Sequence, residues 1–574
     1  MINYKKLTAA MAAGIIAIFT ITGCAMPWQK AADNSSSNVS MVSAGNLSQS
    51  GENALSLEFD SEDLDSSYNE SECTKINLSG SGATVSGSGV TVENGNITIT
   101  SAGSYIISGT LTDGSIKVNC SEKGTVRLIL NGASISSSST APVVVEEAKK
   151  VLVTLADGTT NTITDKTRRS VDDEDFSSAV YSKADLVFNG SGTINVNAGY
   201  RNGIKSTDDL KVVSGTFNIT SNEDGIIGKD LLGIKDGKFT IKSGSDGMKS
   251  TYDTDTSKGN IVITGGEFDI TASNDGVHCN GDILISGGNL TISSGDDGVH
   301  ADAALQVDGG TIDIKKCYEG LEGVHITLND GDISIVASDD GINAADGSSS
   351  SGMGMGGFGG GQASSSDSSV LLTINGGNIF VNAGGDGLDS NGNIVMNGGN
   401  VTVLGPTSDG DTALDFDGAF TINGGVLMAF GSSGMLETPT SAQNGCCIVT
   451  TLGTVSANSA FSLTDSSGNM IMSYTPTKNY ASAIVYSSDI KSGSTYTVTA
   501  GSTTQSITVN SNVTTNGVSG GFGGGQNGGF GGGQRGGQPG GSNQQGGNQQ
   551  GGMPGGNSGN GRSNSASSST VNQV

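Results

Sequence analysis

The chain has 574 residues, 92 of them glycine, and carries 56 acidic against 28 basic side chains, a formal net charge of −28. One glycine in six excludes a compact helical architecture, because each interior glycine costs a helix about 1 kcal/mol. The acid excess excludes nucleic acid and anionic lipid surfaces as partners, since both are held by lysine and arginine. Cationic partners, or metal cations bridging acidic ligands, fit better.

In chain order, the first element is an address. Lys5 and Lys6 precede an apolar run from Leu7 to Ile21, followed by Thr22, Gly23 and Cys24. The run is too short and wrongly flanked to span a bilayer. The order of charge, apolar run, small residue and cysteine reads as a lipoprotein signal over 1–23. Cys24 is then the acylated first residue of a mature chain on the extracellular face of the membrane. Residues 24–72 are rich in Ser and Asn and read as a flexible stalk. The remaining cysteines, Cys73, Cys120, Cys279, Cys317, Cys446 and Cys447, include no CxxC pair, and a buried thiol is the reading for Cys279.

A repeat fills the middle. Asp-Gly dipeptides occur at Gly225, Gly247, Gly276, Gly298, Gly341, Gly387 and Gly410, with Asn202-Gly203 and Glu319-Gly320 in equivalent places. Successive glycines stand 22, 22, 29, 22, 22, 21, 46 and 23 residues apart. The 29 contains an insertion around 252–258 and the 46 a Gly/Ser insertion over 346–369. A fixed period with loop-sized insertions predicts a solenoid. Within one unit, Ile261-Val262-Ile263-Thr264, Phe268-Asp269-Ile270-Thr271 and Val277-His278-Cys279 alternate and are separated by turn residues. Three short strands per coil, stacked in parallel at about 4.8 Å, predict an all-β parallel β-helix over 73–436, right-handed because parallel crossovers almost always are.

Alternation assigns faces in the strand after Asp-Gly. Ile204, Ile226, Met248, Val277, Val299, Leu321, Ile342 and Leu388 point inward. Lys205, Ile227, Lys249, His278, His300, Glu322, Asn343 and Asp389 point outward. The next position is small and inward, from Ser206 to Ser390. Residues 437–513 keep strand alternation without the period and read as a small C-terminal β module. Residues 514–574 contain no acid, repeat Gly-Gly-Phe-Gly-Gly-Gly-Gln and read as disordered.

The Asp-Gly column places a carboxylate on every coil. Aspartate before glycine makes a good turn, but stacked carboxylates repel, and calcium between coils would relieve them. The candidate calcium ligands are Asp297, Asp302, Glu319, Glu322, Asp340, Asn343, Asp386 and Asp389. Gly384 to Asp389 also fits a calcium nonapeptide, which the longer period reduces to turn chemistry plus a ligand. A zinc pair at His278 and His300 is weighed against ordinary exposed polar residues on a β face, and the second reading is preferred. His325 falls in a different strand. Lys205, Lys249, His278, His300 and Tyr318 are the candidate sugar contacts. Trp28, the single tryptophan, lies in the stalk, so a tryptophan stacking strip is excluded, leaving Tyr200, Tyr252 and Tyr318 as substitutes.

Taken together, the lipobox, the stalk, the Gly-Gly-x-Ile-x-Ile…Asp-Gly coil and the Gly-rich tail resemble the clostridial carbohydrate-binding β-helix family over roughly 73–513. The resemblance implies a right-handed parallel β-helix similar to pectate lyases, bound calcium, and binding of cellulose or acidic sugars such as polygalacturonate. The expectation is a surface-anchored, non-catalytic polysaccharide-binding protein dependent on calcium, with no nucleic-acid partner and no oligomer implied. A calcium-dependent lyase, with Lys205, Lys249 or Arg201 as base, and a structural or adhesive surface protein are the alternatives.

Overall fold

The computed structural model describes residues 55–166, 176–252, 254–346 and 369–518. Cys24, Trp28, the residues read as a signal, most of the Gly/Ser insertion and the tail beyond 518 lie outside the described residues. Among those residues the only helical turns are Ser61–Leu64 and Glu70–Glu72, and no helix is long and apolar enough to cross a membrane.

The chain forms a parallel β-helix, because each strand pairs with its equivalent one coil later rather than with its neighbour in sequence. Thr216–Ser221 pairs with Lys238–Ser243, which pairs with Glu267–Ala272, which pairs with Asn289–Ser293. The strand after each Asp-Gly does the same: Met248–Ser250 pairs with Val277–Cys279 and then with Val299–Val307. The third face follows suit, from Asn260–Ile263 to Ile283–Ile285. A single coil cannot bury its apolar face, so stacking is what makes the core. The predicted inward column is fully buried from Ile204 to Leu388. Beside it, Phe217, Phe239 and Phe268 stack face on face with centroids 4.8 Å apart, which sets the inter-coil spacing at one ring per coil. Cys279 lies in this core, and the six described cysteines are all unbridged.

Two kinds of glycine keep the coils in step. In the Gly-Gly turns the second glycine takes a left-handed conformation, φ 107° at Gly266 and 99° at Gly288, which only glycine adopts without strain. The glycine after each aspartate has a different reason. A Cβ on Gly276 would stand 2.6 Å from the carbonyl oxygen of Gly298 and 2.4 Å from a methyl of Ile292. The side chain is absent there because the next coil occupies its place.

The last coil departs from the reading of Asp409-Gly410 as a repeat position. Thr412-Ala413 occupies the aspartate-glycine place instead: the Leu388 amide donates to the Ala413 carbonyl, and Leu388 pairs with Leu414. Coil-to-coil parallel pairing ends at Ala442; beyond it Cys446–Val455 pairs in parallel with Val513–Asn516, so ordered strand continues past the 513 boundary read from the sequence. Val426–Gly431 then pairs antiparallel with Tyr480–Ser487, which also pairs antiparallel with Cys446–Val455. A four-stranded antiparallel sheet, Phe461–Asp465, Met470–Tyr474, Thr495–Ala500 and Thr503–Thr508, packs behind them. At the other end, Thr74–Gly80 forms an antiparallel hairpin with Gly82–Ser86 while pairing in parallel with Gly103–Leu111.

Residues 55–72 are a strap, not part of a flexible stalk. Leu57 and Phe59 are buried against Leu152, Val187, Val213, Val262 and Leu284, an apolar row on the outside of the third face. Leu57 fills the space left by Gly233, where a Cβ would lie 2.3 Å from its Cδ1. Lys150, nearly buried, pairs with Asp60 at 2.7 Å and with Asp63, tying the short helix to the coil. Two apolar side chains suffice because the coil surface beneath them is already apolar. Replacing Leu57 with Ala should lower unfolding free energy by about 2–5 kcal/mol, as a cavity between strap and coil does elsewhere. Urea melts of the two proteins measure this, and an unchanged midpoint would show that the strap does not bear on the coil.

Candidate functional site

Asp224, Asp246, Asp275, Asp340 and Asp386, each before a glycine, use one oxygen to accept the amide of their counterpart on the next coil. Asp224 Oδ1 accepts from Asp246 N at 3.0 Å, Asp246 Oδ1 from Asp275 N at 3.2 Å, and Asp275 Oδ1 from Asp297 N at 3.0 Å. Asp340 accepts from Asp386 N at 2.6 Å, and Asp386 from Thr412 N at 2.5 Å. Asn202 does the same for Asp224 N at 3.0 Å. The column is therefore a structural ladder first. A carboxylate accepts more strongly than an amide and has a second oxygen left over.

That second oxygen faces the outward column. Register pairs Tyr181, Lys205, Ile227, Lys249, His278, His300, Glu322, Asn343, Asp389 and Asp415 in one unbroken file. The file runs from lysines, through histidines, to acids. Lys249 Nζ pairs with Asp246 Oδ2 at 2.6 Å. His278 and His300 stack with centroids 5.0 Å apart. Nδ1 of His278 stands 3.5 Å from Asp246 Oδ2 and 3.5 Å from Asp275 Oδ2. His300 Nδ1 is 3.2 Å from Asp297 Oδ2 and 3.4 Å from Glu322 Oε2.

The predicted calcium ligands separate into two groups. Asp297, Asp302 and Glu322 gather around the histidines. Glu319 accepts a hydrogen bond from Asn343 Nδ2 at 2.8 Å and lies toward the acid end, with Asp340, Asp386 and Asp389. Among the described residues, four groups bring three ligand atoms within 4.8 Å: Asp275–His278–His300, Asp297–His300–Glu322, Asp185–Asp208–Asp209 and Asp275–Asp296–Asp297. None contains Asp340, Asp386 or Asp389. Sequence reasoning missed Asp415 and Glu437 at the acid end. Glu437 Oε2 accepts from Phe416 N at 3.3 Å. Aligning Thr412-Ala413 with the Asp-Gly column would have placed Asp415 under Asp389.

Burial and mutual repulsion load this face with protons. Burial, then Asp340, Asp415 and Asp386 nearby, push the Asp389 carboxyl up to about 9. Burial and neighbouring acids push Asp340, Asp386 and Glu437 to about 7. Burial and the facing Asp297 carboxylate raise Glu322 to about 8. Burial opposes charge on His278, but the facing Asp246 and Asp302 carboxylates outweigh it and raise the imidazole to about 9.

Of the other candidates, Tyr318 is 46% exposed, beside Asp339, whose carboxylate helps push the phenol to about 12. Tyr200 is buried, and Tyr252 is sandwiched between Lys229 and Lys258, whose ammonium groups lie 4.7 and 4.8 Å from the ring centre. The three proposed bases are engaged. Lys205 Nζ lies 3.4 Å from Ser177 Oγ, Arg201 pairs with Glu223 at 2.8 Å, and the Lys249 pKa is raised by the Asp246 carboxylate against the pull of burial. A lysine held as ammonium is a poor proton acceptor. His325 sits on the third face, opposite Leu371, apart from the histidine pair.

Fold and face define a parallel β-helical protein with one charged file along its outside. Residues 93–352 match the model of the carbohydrate-binding domain-containing protein family. A protein of the same description from Acetivibrio thermocellus is 34% identical over 123 residues, which are 21% of this chain and 43% of that protein. The chain thus spans less than half of that relative's length. A solved structure described as a polysaccharide lyase-like protein from C. thermocellum, gadolinium derivative, is 30% identical with a TM-score of 0.40, covering 41% of this chain and 96% of that one.

The proton load gives a pH prediction. A carboxyl raised from about 4 when unfolded binds its proton preferentially in the folded state, so stability falls as pH rises from about 4 through the raised value. The His278 contribution is full below about 6.5 and is lost through about 9, in the same direction. The melting temperature of chelator-treated protein should therefore fall steadily between pH 5 and pH 9, and Asp389→Asn should flatten that fall. Scanning calorimetry across the range decides it; a melting temperature that rises with pH would contradict the assignment.

Proposed function

We propose that this protein is a surface-anchored, non-catalytic carbohydrate-binding protein that holds plant cell-wall polysaccharide, cellulose or an acidic glycan such as polygalacturonate, with the help of calcium. The family match over 93–352 supports the carbohydrate. The observation that carries the finer reading is the outward file: ten register-paired positions on one straight face, one per coil, running from Lys205 and Lys249 to Asp389 and Asp415. An extended polymer lying along it meets one side chain per inter-coil step. The lysine end suits uronate carboxylates directly. At the acid end, like charges repel unless a hard cation with oxygen ligands lies between protein and sugar. Glu319, Asp340, Asn343, Asp386 and Asp389 are the groups that would share calcium with a uronate.

The non-catalytic reading is supported by the engaged state of the lysine and arginine that β-elimination would need as base. Membrane attachment through Cys24 follows from the signal pattern.

A pull-down of the full chain on polygalacturonate and on cellulose, with calcium and with chelator, tests this. The expected result is retention on polygalacturonate that drops at least tenfold with chelator, and a similar drop for the Asp386→Asn, Asp389→Asn pair in the presence of calcium. Unchanged binding in chelator would overturn the calcium bridge. Ultraviolet-absorbing unsaturated products would overturn the non-catalytic reading, and no binding to either polymer would leave a structural or adhesive role.

A further inference from the structure

Where the file changes sign, its geometry points away from calcium. We propose that Asp297, His300 and Glu322 form a site for one zinc-class divalent ion, with Asp302 as the residue that orients its histidine. Calcium and magnesium take oxygen ligands, whereas an imidazole nitrogen beside carboxylates suits zinc and its first-row neighbours. Two ligands each about 2.1 Å from a tetrahedral ion stand about 3.4 Å apart. His300 Nδ1 lies 3.2 Å from Asp297 Oδ2 and 3.4 Å from Glu322 Oε2, and the three ligand atoms fall within 4.8 Å of one another. That leaves the fourth position open toward solvent or a ligand, as catalytic and substrate-binding zinc sites do and closed structural ones do not.

Independent features support it. The opposite nitrogen of the same ring, His300 Nε2, faces Asp302 Oδ1 at 3.3 Å. A metal-bound histidine characteristically gives its other N–H to a carboxylate, which fixes the ring and its tautomer. Asp302 reaches that position because the strand bulges there: pairing of Val299–Val307 with Leu321–Leu328 skips between Ala301 and Ala304. His278 stacks on His300, with its own Nδ1 3.5 Å from the carboxylates of Asp246 and Asp275. Asp297 is 6% exposed, and its amide is held by Asp275 Oδ1 at 3.0 Å.

The chain has three histidines, which makes the test selective. Zinc is titrated into the full chain against a chromogenic chelator, and cobalt is added separately to record visible absorption. The expected result is one zinc per chain, bound at least 100-fold more tightly than calcium, and a visible cobalt band that zinc abolishes. His300→Ala should lose the band and at least 30-fold in zinc affinity, with His300→Gln as the second variant should Ala fail to fold. Asp302→Asn should weaken zinc 10–100-fold, as loss of an orienting carboxylate does, while keeping the visible cobalt band at saturating cobalt, which loss of a ligand would not. His325→Ala should change nothing. Zinc bound no more tightly than calcium, or wild-type affinity in both His300 variants, would overturn the proposal. Because the readout is metal affinity without sugar, its failure is distinct from failure of the glycan reading.

Discussion

The distance between successive coils at the aspartate-glycine corner governs this protein. A carboxylate from one coil accepts the amide of the next, and the glycine that follows leaves its side-chain space to the neighbouring carbonyl. Neither group can be exchanged freely. A longer side chain at the acid moves the bond, and a side chain at Gly276 or Gly298 would push the coils apart. At Glu319 the longer acid is accommodated, and its carboxylate turns to Asn343 instead.

Fixing the backbone in this way has an electrical result. The ladder needs only one oxygen of each carboxylate, so the corner presents a second, partly buried row of negative charge to whatever stands next in the strand. Where lysine stands there, the charge is neutralised by an ion pair. Where histidine stands there, two rings meet five carboxylates, those of Asp246, Asp275, Asp297, Asp302 and Glu322. Where acids stand there, protons are retained far above their usual range. One structural device thus yields three local chemistries, chosen by a single residue per coil.

Much of the fold was legible because alternation and period agree. Every residue read as inward after Asp-Gly is buried, and the outward file is continuous through the register. What escaped the sequence has identifiable causes. Asp409-Gly410 imitates the repeat, but the last coil needs a backbone carbonyl at that corner, which Thr412-Ala413 supplies equally well. The strap at 55–72 holds too few apolar residues to show a period; its anchor is a missing side chain at Gly233, visible only with the coil beneath it. The histidines read as ordinary surface residues since the carboxylates facing them come from two neighbouring coils and from a bulge that no period announces. Glu437 lies past the repeat, and its place beside Asp415 depends on how the chain leaves the last coil.

Both ends of the β-helix exchange parallel for antiparallel pairing, through the hairpin of Thr74–Gly80 and Gly82–Ser86 and through the pairing of Val426–Gly431 with Tyr480–Ser487. A parallel solenoid left open would offer its terminal coil as a template for another copy, growing a fibre with no natural length. Closing both ends fixes the number of rungs. The molecule is in effect a ruler of set length, and the stretch of any linear polymer laid along its charged file is counted by the protein and not by the polymer.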